Sequence, residues 1–550
     1  MIYYAHSENN NKVKHQLADH LKETARLAES FTSDETYKSI FYMTGLLHDI
    51  GKYQPEFQRY LFSLGKHAKV PHASWGAGYA RILRYLEVSM AIDGHHKGIP
   101  DRADWDGDTE VFKQGDVEGF DNVINSFKAD AGQFIKNYCS FPFNIADESK
   151  REVFIRYLFS ALTDSDWLST EEHFDLEKYN LRSAVSLSID IMINKLEDEF
   201  LGKSKVGDIN RLRNEARNHV LQGAGSPCGF YSLSLPTGMG KTLISIAWAL
   251  NHAKYNDLKR IIIVLPYTSI IDQTAQNLKS IFGSDCILEH HSSYNEDDFE
   301  KEEISESCSI IQQRKKLACE NWDYPIIITT TVQFFESLFS NKPRRCRKIH
   351  NIAESVVIFD EVQLLRKEII LPTLKMLEDV KVIMKTSFLF CTATQPAFEK
   401  RTGFDGIDTI TPLIDDPARF YKKTKRVKYN LLNDLNPISE SELLSLVRQE
   451  TASELVIFNT KKDTLKFYKA VQGIDSWGKK YHLSTAMCPN HRKDVIQNIR
   501  NDLKEKKRIL VVSTQLIEAG VDFDFPVVFR AIAPLESIIQ SAGRCNVKAL

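Results

Sequence analysis

The chain has 550 residues, 43% hydrophobic and 26% charged, with a formal net charge of −2. That length exceeds one hydrophobic core and predicts two to four domains, while the near-neutral charge excludes a globally basic nucleic-acid binder and leaves room for a local groove. Nine cysteines without a C-x-x-C pair exclude a zinc ribbon and a secreted disulfide framework, and fit a reducing cytosol.

The first residues, MIYYAHSENNNKVKHQ, lack the apolar run of a signal peptide. The longest apolar runs, such as IIIVL and SVVIF, are strand-sized, so no membrane span is expected. HQLADHLKETARLAES (15–30) sets Leu17, Leu21, Ala25 and Ala28 at helical spacing with His20 beside them. YKSIFYMTGLLHDIGKY predicts a second helix stopped near Gly51, and SWGAGYARILRYLEVSMAIDGHHKG a further helix ending near His95-His96. VFIRYLFSALTDSDWLSTEE predicts an apolar helix with Asp164 and Asp166 toward its end. The first ~200 residues are therefore expected to be all-helical, with histidines and aspartates at helix ends facing one cavity.

Eight of the 16 histidines fall in the first 96 residues, where an even spread would put about three. His6, His15 and His67 read as satisfied core residues. The set His20, His48-Asp49, His72, His95-His96 and Asp166 reads differently, with Asp164 the alternative last carboxylate. A histidine and a carboxylate ending a buried helix are costly unless something satisfies them. Imidazoles and carboxylates together suit Mn, Fe, Co, Ni or Zn, and seven ligands are enough for two ions. Two ions can clamp the attacking and leaving oxygens of a phosphodiester displacement.

GFYSLSLPTGMGKTLISIAWAL reads as strand, glycine loop and helix, Leu243, Ile246, Ala247 and Leu250 forming the helix's apolar face. In Pro236-Thr237-Gly238-Met239-Gly240-Lys241-Thr242, backbone N–H groups would cradle phosphate, Lys241 would reach the β/γ-phosphates and Thr242 would hold Mg²⁺. ATP with Mg²⁺ is the expected cofactor. SVVIFDEVQLL is a buried parallel strand ending in Asp360, expected in the Mg²⁺ shell, and Glu361, expected to orient the attacking water. IIIVLPYTSIIDQTAQNL, IIITTTVQFFESLF and FLFCTATQP resemble helicase motifs Ia, Ib and III. ELVIFNTKKDTL, RILVVSTQLIEAGVDFDFP (with Thr514, Gln515, Glu518, Gly520 and Asp522) and IIQSAGRCN resemble motifs IV, V and VI. In the last, Gln540 would face the nucleotide and Arg544 would be the arginine finger. The basic runs NKPRRCRKIH (342–350) and KEKKR (504–508) read as solvated loops ahead of nucleic-acid contacts.

The order H…HD…H…HH…D resembles the HD metal-dependent phosphohydrolase superfamily, and GHHKG its nuclease branch. Lys52 matches a lysine common in that motif and would neutralise phosphate charge, and SDWL favours Asp166 as last ligand. An HD nuclease followed by superfamily 2 helicase lobes resembles the helicase-nucleases of type I CRISPR systems, from His20 to Arg544. The resemblance implies an all-α HD domain (1–200), a RecA-like α/β parallel-sheet domain binding ATP (201–429) and a second RecA-like domain (430–550). It also implies metal-dependent cleavage of single-stranded DNA, 3′→5′ ATP-driven translocation, and recruitment by a guide-RNA surveillance complex to the displaced strand of an R-loop. A monomer in a prokaryotic cytoplasm is expected. Val547 stands where the family carries a second motif VI arginine, so truncation after motif VI is expected. The competing expectations are a nucleotide phosphohydrolase with a regulatory ATPase, or a recruitment module without processive activity.

Overall fold

The computed structural model describes residues 2–63, 70–136, 147–182, 188–203, 207–291, 306–392, 397–518 and 523–545. The expected positions His67, Thr394, Gly520, Asp522 and Val547 lie outside them.

A small antiparallel hairpin, β1 (Tyr4–Glu8) and β2 (Lys14–Gln16), opens the chain, where helix alone was expected. A helical domain follows: α1 (Leu17–Ser30), α2 (Glu35–Leu47), α3 (Pro55–Phe62), α4 (Ala73–Ile82), α5 (Leu86–Gly94), α6 (Arg102–Gln114), α7 (Phe120–Ala131) and α8 (Glu148–Phe174). α1 buries Leu17, His20, Leu21, Thr24, Ala25 and Ala28, the single stripe that its spacing dictates. α2 starts at Asp34, whose carboxylate accepts from the Thr36 N–H, and is buried without interruption from Ile40 to Leu47. α8 is buried along Val153–Ser169 except at Arg156 and Trp167, the mark of a central helix.

The stretch expected as one helix before His95 is two. Arg84 takes φ 64°, Tyr85 N–H donates back to the Ala80 carbonyl, and this left-handed stop turns α5 back against α4.

The second domain is a seven-stranded parallel sheet, in the order β5-β6-β4-β7-β8-β3-β9. Its strands are β3 (Phe230–Ser234), β4 (Arg260–Leu265), β5 (Ile287–His290), β6 (Ile326–Thr330), β7 (Ser355–Asp360), β8 (Ser387–Thr392) and β9 (Thr411–Pro412). The sequences IIIV and SVVIF sit in its centre, buried on both faces as parallel strands require. Helix Ile189–Gly202 lies partly within the first ~200 residues, yet its Met192 and Leu196 pack in the core of this sheet. The third domain has four parallel strands, β10 (Glu454–Ile457), β11 (Lys479–Leu483), β12 (Ile509–Ser513) and β13 (Val527–Arg530), in the order β11-β12-β10-β13.

The helical domain and the first sheet domain share one contiguous apolar core, which runs from Phe41, Phe154 and Tyr157 to Leu374, Ile383 and Met384. Polar contacts close the same interface. Asp164 is fully buried and is held by the Arg347 guanidinium, by Asn321 Nδ2 at 3.1 Å and by His350 Nε2 at 3.4 Å. This corrects the expectation for 342–350: Arg347 and Lys348 are buried, at 3% and 5% exposure, rather than solvated. Asn341 O accepts from the Ile99 N–H at 2.8 Å, and Gly98 (φ 111°) leaves no room there for a side chain. The second glycine of GHHKG thus serves the joint between domains.

Candidate functional site

The end of α2, the turn after it, the starts of α4 and α1, the end of α5 and the middle of α8 converge on Asp49. One donor atom from each of His20, His48, Asp49 and Asp166 lies within 4.8 Å of the others, and the same holds for Asp49, His72, His95 and His96. Asp49 belongs to both quartets. Its Oδ2 is 3.3 Å from His20 Nε2 and 3.2 Å from His48 Nε2, and its Oδ1 is 3.4 Å from His72 Nε2 and 3.6 Å from His95 Nε2. Asp166 Oδ1 completes the first quartet at 3.4 Å from His20 and 3.5 Å from His48. All seven expected ligands therefore meet, and Asp164 points into the domain interface instead.

The ring orientations are set from behind. His48 Nδ1 donates to the Gly45 carbonyl at 2.7 Å and His95 Nδ1 to the Ile92 carbonyl at 2.6 Å, which turns both Nε2 atoms inward. His20 Nδ1 is 3.0 Å from Ser169 Oγ. Gly51 lets the His72 backbone approach so closely that a Cβ would lie 2.2 Å from the His72 carbonyl oxygen.

Three of these Nε2 atoms (His20, His48, His95) and Asp49 Oδ1 are buried without a hydrogen-bond partner, and Asp49 Oδ2 has one ammonium, Lys52 Nζ, opposite it at 2.6 Å. Such a set is costly unless a cation satisfies it. The electrostatics agree. Burial opposes charge on His48, but Asp49 and Asp166 push it up to about 10. A field that holds a proton on a buried imidazole suits a divalent cation better. Burial would raise the Asp49 carboxyl, but His48 and Lys52 hold it well below the usual range. At the opening, burial takes His72 down to about 4, while His95 and burial take His96 down to about 3. Both are neutral ligands at physiological pH. The donor set thus fits two divalent ions, held by His20/His48/Asp166 and by His72/His95/His96, with Asp49 between them. The first seat is buried throughout, and the second opens to solvent at His96.

Lys52, expected to neutralise phosphate charge, lies behind Asp49. It is 5% exposed and its Nζ pairs with Asp49 Oδ2 at 2.6 Å, where it fixes the shared carboxylate.

The second site lies between the two sheet domains. Gly238 (φ 85°) and Gly240 (φ 78°) shape the loop that leads into helix Lys241–Asn256. Both glycines adopt a backbone that other residues rarely tolerate, and this aims the N–H groups into the loop. The Lys241 Nζ is buried without a hydrogen-bond partner. Burial opposes its charge, but Glu361 and Asp360 raise its pKa. Asp360 ends β7, and burial together with Glu361 pushes its carboxyl up to about 6. Glu361 sits at φ 51°, a strained conformation for a non-glycine residue. Its Oε2 accepts from Gln363 Nε2 at 2.6 Å and from Gln540 Nε2 at 3.5 Å, across the cleft. Gln363 Oε1 in turn accepts from Thr392 Oγ1 at 2.6 Å, linking the DEVQ turn to the end of β8. A Cβ on Gly543 would lie 3.1 Å from the Thr237 side chain, so the IIQSAGRCN segment rests on the phosphate loop.

Arg544, expected as the arginine finger, is anchored in the second lobe. Its Nε and Nη2 donate to the carbonyls of Ile517 (3.0 Å) and Glu518 (2.9 Å) in its own domain. Two arginines missed in the sequence hold the loop instead. Arg426 donates to Thr237 O at 3.1 Å and Oγ1 at 3.0 Å, and Arg213 to Gly238 O at 2.5 Å. Neither lies in a helicase motif, so no signal in the sequence pointed to them.

Known families match in the same order. The HD domain family matches residues 17–117, the DEAD/DEAH box helicase family 213–402, and the C-terminal family of the CRISPR-associated nuclease/helicase Cas3 450–549. A CRISPR-associated nuclease/helicase Cas3 from Haloferax volcanii is 23% identical over 94% of this chain and 72% of its own length. Two further curated relatives match 58% and 57% of this chain, which spans only 44% and 38% of their lengths. Among solved structures, T. fusca Cas3 with ADP superposes with a TM-score of 0.67 at 15% identity, covering 99% of this chain and 72% of that one. A CRISPR RNA-guided surveillance complex in a pre-nicking state contains a chain matched with a TM-score of 0.62 at 15% identity, over 99% of this chain and 71% of that one. Among the described residues no helix is long and apolar enough to cross a membrane.

Proposed function

The chain belongs to the CRISPR-associated nuclease/helicases that join an HD domain to a helicase motor, and on that premise we propose that its HD centre cuts single-stranded DNA while ATP turnover drives the strand 3′→5′ past it. The observation that carries the cleavage half is Asp49, one carboxylate shared by two ligand quartets. Bound there, two divalent ions supply Lewis acidity for in-line displacement at a phosphodiester. The chain's own residues do the rest. Lys52 and the ring of imidazoles keep Asp49 ionised and fixed, and backbone carbonyls behind His48 and His95 hold their Nε2 atoms inward. The more exposed side, at His72 and His96, is where a strand enters.

In the motor, Lys241 binds nucleotide phosphate and Asp360 holds the Mg²⁺ that accompanies it. Glu361 orients the attacking water, and Gln363 couples it to Thr392. Gln540 and Arg544 belong to the second lobe, whose approach completes the site. The continuous core between the HD domain and the first lobe means that the nuclease travels with this lobe as one body. We further propose that a guide-RNA surveillance complex recruits the chain to the displaced strand of an R-loop, in the cytoplasm of a prokaryote, and that it acts as a monomer.

The test separates the two engines. Lys241→Ala should abolish DNA-stimulated ATP hydrolysis and processive degradation, yet leave ATP-independent nicking of single-stranded DNA intact. Loss of both activities in a folded Lys241→Ala protein would contradict this division.

A further inference from the structure

We propose that His6 and His15 form a third cation site, on the outer side of His20, for a divalent transition metal of the zinc, nickel or cobalt class. His6 and His15 were read as core residues from the sequence, but the hairpin pairs them directly across its two strands. One ring nitrogen from each of His6, His15 and His20 lies within 4.8 Å of the others. The His173 ring, near the end of α8, stacks on His15 with centroids 4.8 Å apart. A two-stranded hairpin in an otherwise helical domain thus brings two imidazoles to a third.

The second observation is an unpartnered donor. His15 is only 8% exposed, and its Nδ1 is buried without a hydrogen-bond partner. Its Nε2 lies 3.1 Å from Glu23 Oε2. A carboxylate oxygen opposite Nε2 can only accept, so this contact places the Nε2–H of His15 toward Glu23. Nδ1 is then the ring atom left to bind a cation. A carboxylate behind one nitrogen, with the other left unpartnered, is the arrangement that orients histidine ligands of metals. Imidazole donors without a surrounding oxygen cage favour zinc, nickel, cobalt or copper over magnesium.

This site does not depend on the catalytic carboxylates. His20 directs Nε2 to Asp49 and Asp166, while its Nδ1 meets Ser169, whose hydroxyl donates to Glu23 at 3.2 Å. An ion on His6 and His15 would therefore brace the chain Glu23–Ser169–His20 that holds a catalytic ligand in place.

The experiment counts ions. Full-length protein is stripped with chelator, loaded with Co²⁺, desalted and analysed for cobalt per chain, with visible absorption recording imidazole ligation. The His6→Ala/His15→Ala double variant should hold one ion fewer than wild type. The same loss of one ion should appear when the double variant is made in an Asp49→Ala background. Equal cobalt content with and without the two histidines, in either background, overturns the proposal. If Asp49→Ala fails to fold, the wild-type comparison alone decides it, and His15→Gln, which keeps side-chain volume, should show the same loss.

Discussion

Asp164 of the HD domain lies inside the guanidinium grip of Arg347 from the helicase domain, two residues before Asp166, which joins the histidine cluster around Asp49. Burial works against the charge on Asp164, but Arg347 and His350 hold its carboxyl below the usual carboxylate range. This stabilisation is therefore present above about pH 4 and is lost only as the pH falls further. Arg347→Met would leave the buried carboxylate without its guanidinium, facing Asn321 and His350 alone, and should destabilise the protein at pH 7 by about 3–5 kcal/mol in chemical denaturation. Arg347→Met/Asp164→Leu should recover much of that loss, because the isolated charge is the costly element. A double variant as unstable as the single one would show that the pair acts through something other than charge compensation.

Asp360 behaves in the opposite sense. Its folded pKa is raised to about 6, so the ionised form costs stability above that pH, and the cost vanishes below about pH 4. Nucleotide-free Asp360→Asn should thus be more stable than wild type at pH 8 by about 1–3 kcal/mol, while losing ATP hydrolysis. Melting curves at pH 8 and pH 4 check this; a gain of equal size at both pH values would contradict it.

Gly51→Ala should damage one metal seat more than the other. Its new Cβ would lie 2.2 Å from the His72 carbonyl oxygen, so His72 must move away from Asp49. Overpacking of this kind costs about 1–3 kcal/mol. Metal content should fall by one ion per chain with the HD domain still folded, and retention of the full count would show that His72 is not a ligand.

The P-loop clasp gives a further expectation. Arg426 bonds both the carbonyl and the hydroxyl of Thr237, and Gly543 touches the same side chain. Arg426→Ala should raise KM for ATP several-fold with a smaller change in kcat, since the loop would lose a support and no reacting group. A fall in kcat alone would contradict this role.

The elements with strict chemistry were legible in the sequence. The strand–loop–helix around Lys241 and the strand ending in Asp360 follow from apolar runs punctuated by glycine or carboxylates. The seven residues that meet around Asp49 were legible because the first 96 residues hold an excess of histidines, three of them in the HD and HH pairs that follow apolar helices. The preference for Asp166 over Asp164 rested on the SDWL resemblance alone, since two positions along a helix differ by about 200° in direction and only the partners show which way is inward. Among those partners, Arg347 lies 183 residues away in sequence. The basic run 342–350 misled in part for the same reason: Lys342, Arg344 and Arg345 are exposed, but Arg347 and Lys348 are buried in an interface that local composition does not reveal. Arg84 broke an expected helix through a left-handed backbone that arginine gives no warning of. The role of His6 and His15 depended on a hairpin whose strands are only five and three residues long.

The most direct test of the central claim is cleavage of circular single-stranded DNA without ATP, in Mn²⁺, Co²⁺, Ni²⁺ or Mg²⁺, comparing wild type with Asp49→Ala. Metal-dependent cutting by wild type, abolished in a folded Asp49→Ala protein, is the predicted result. No cutting by metal-loaded wild type, or undiminished cutting by the variant, would contradict the assignment of this centre as a nuclease.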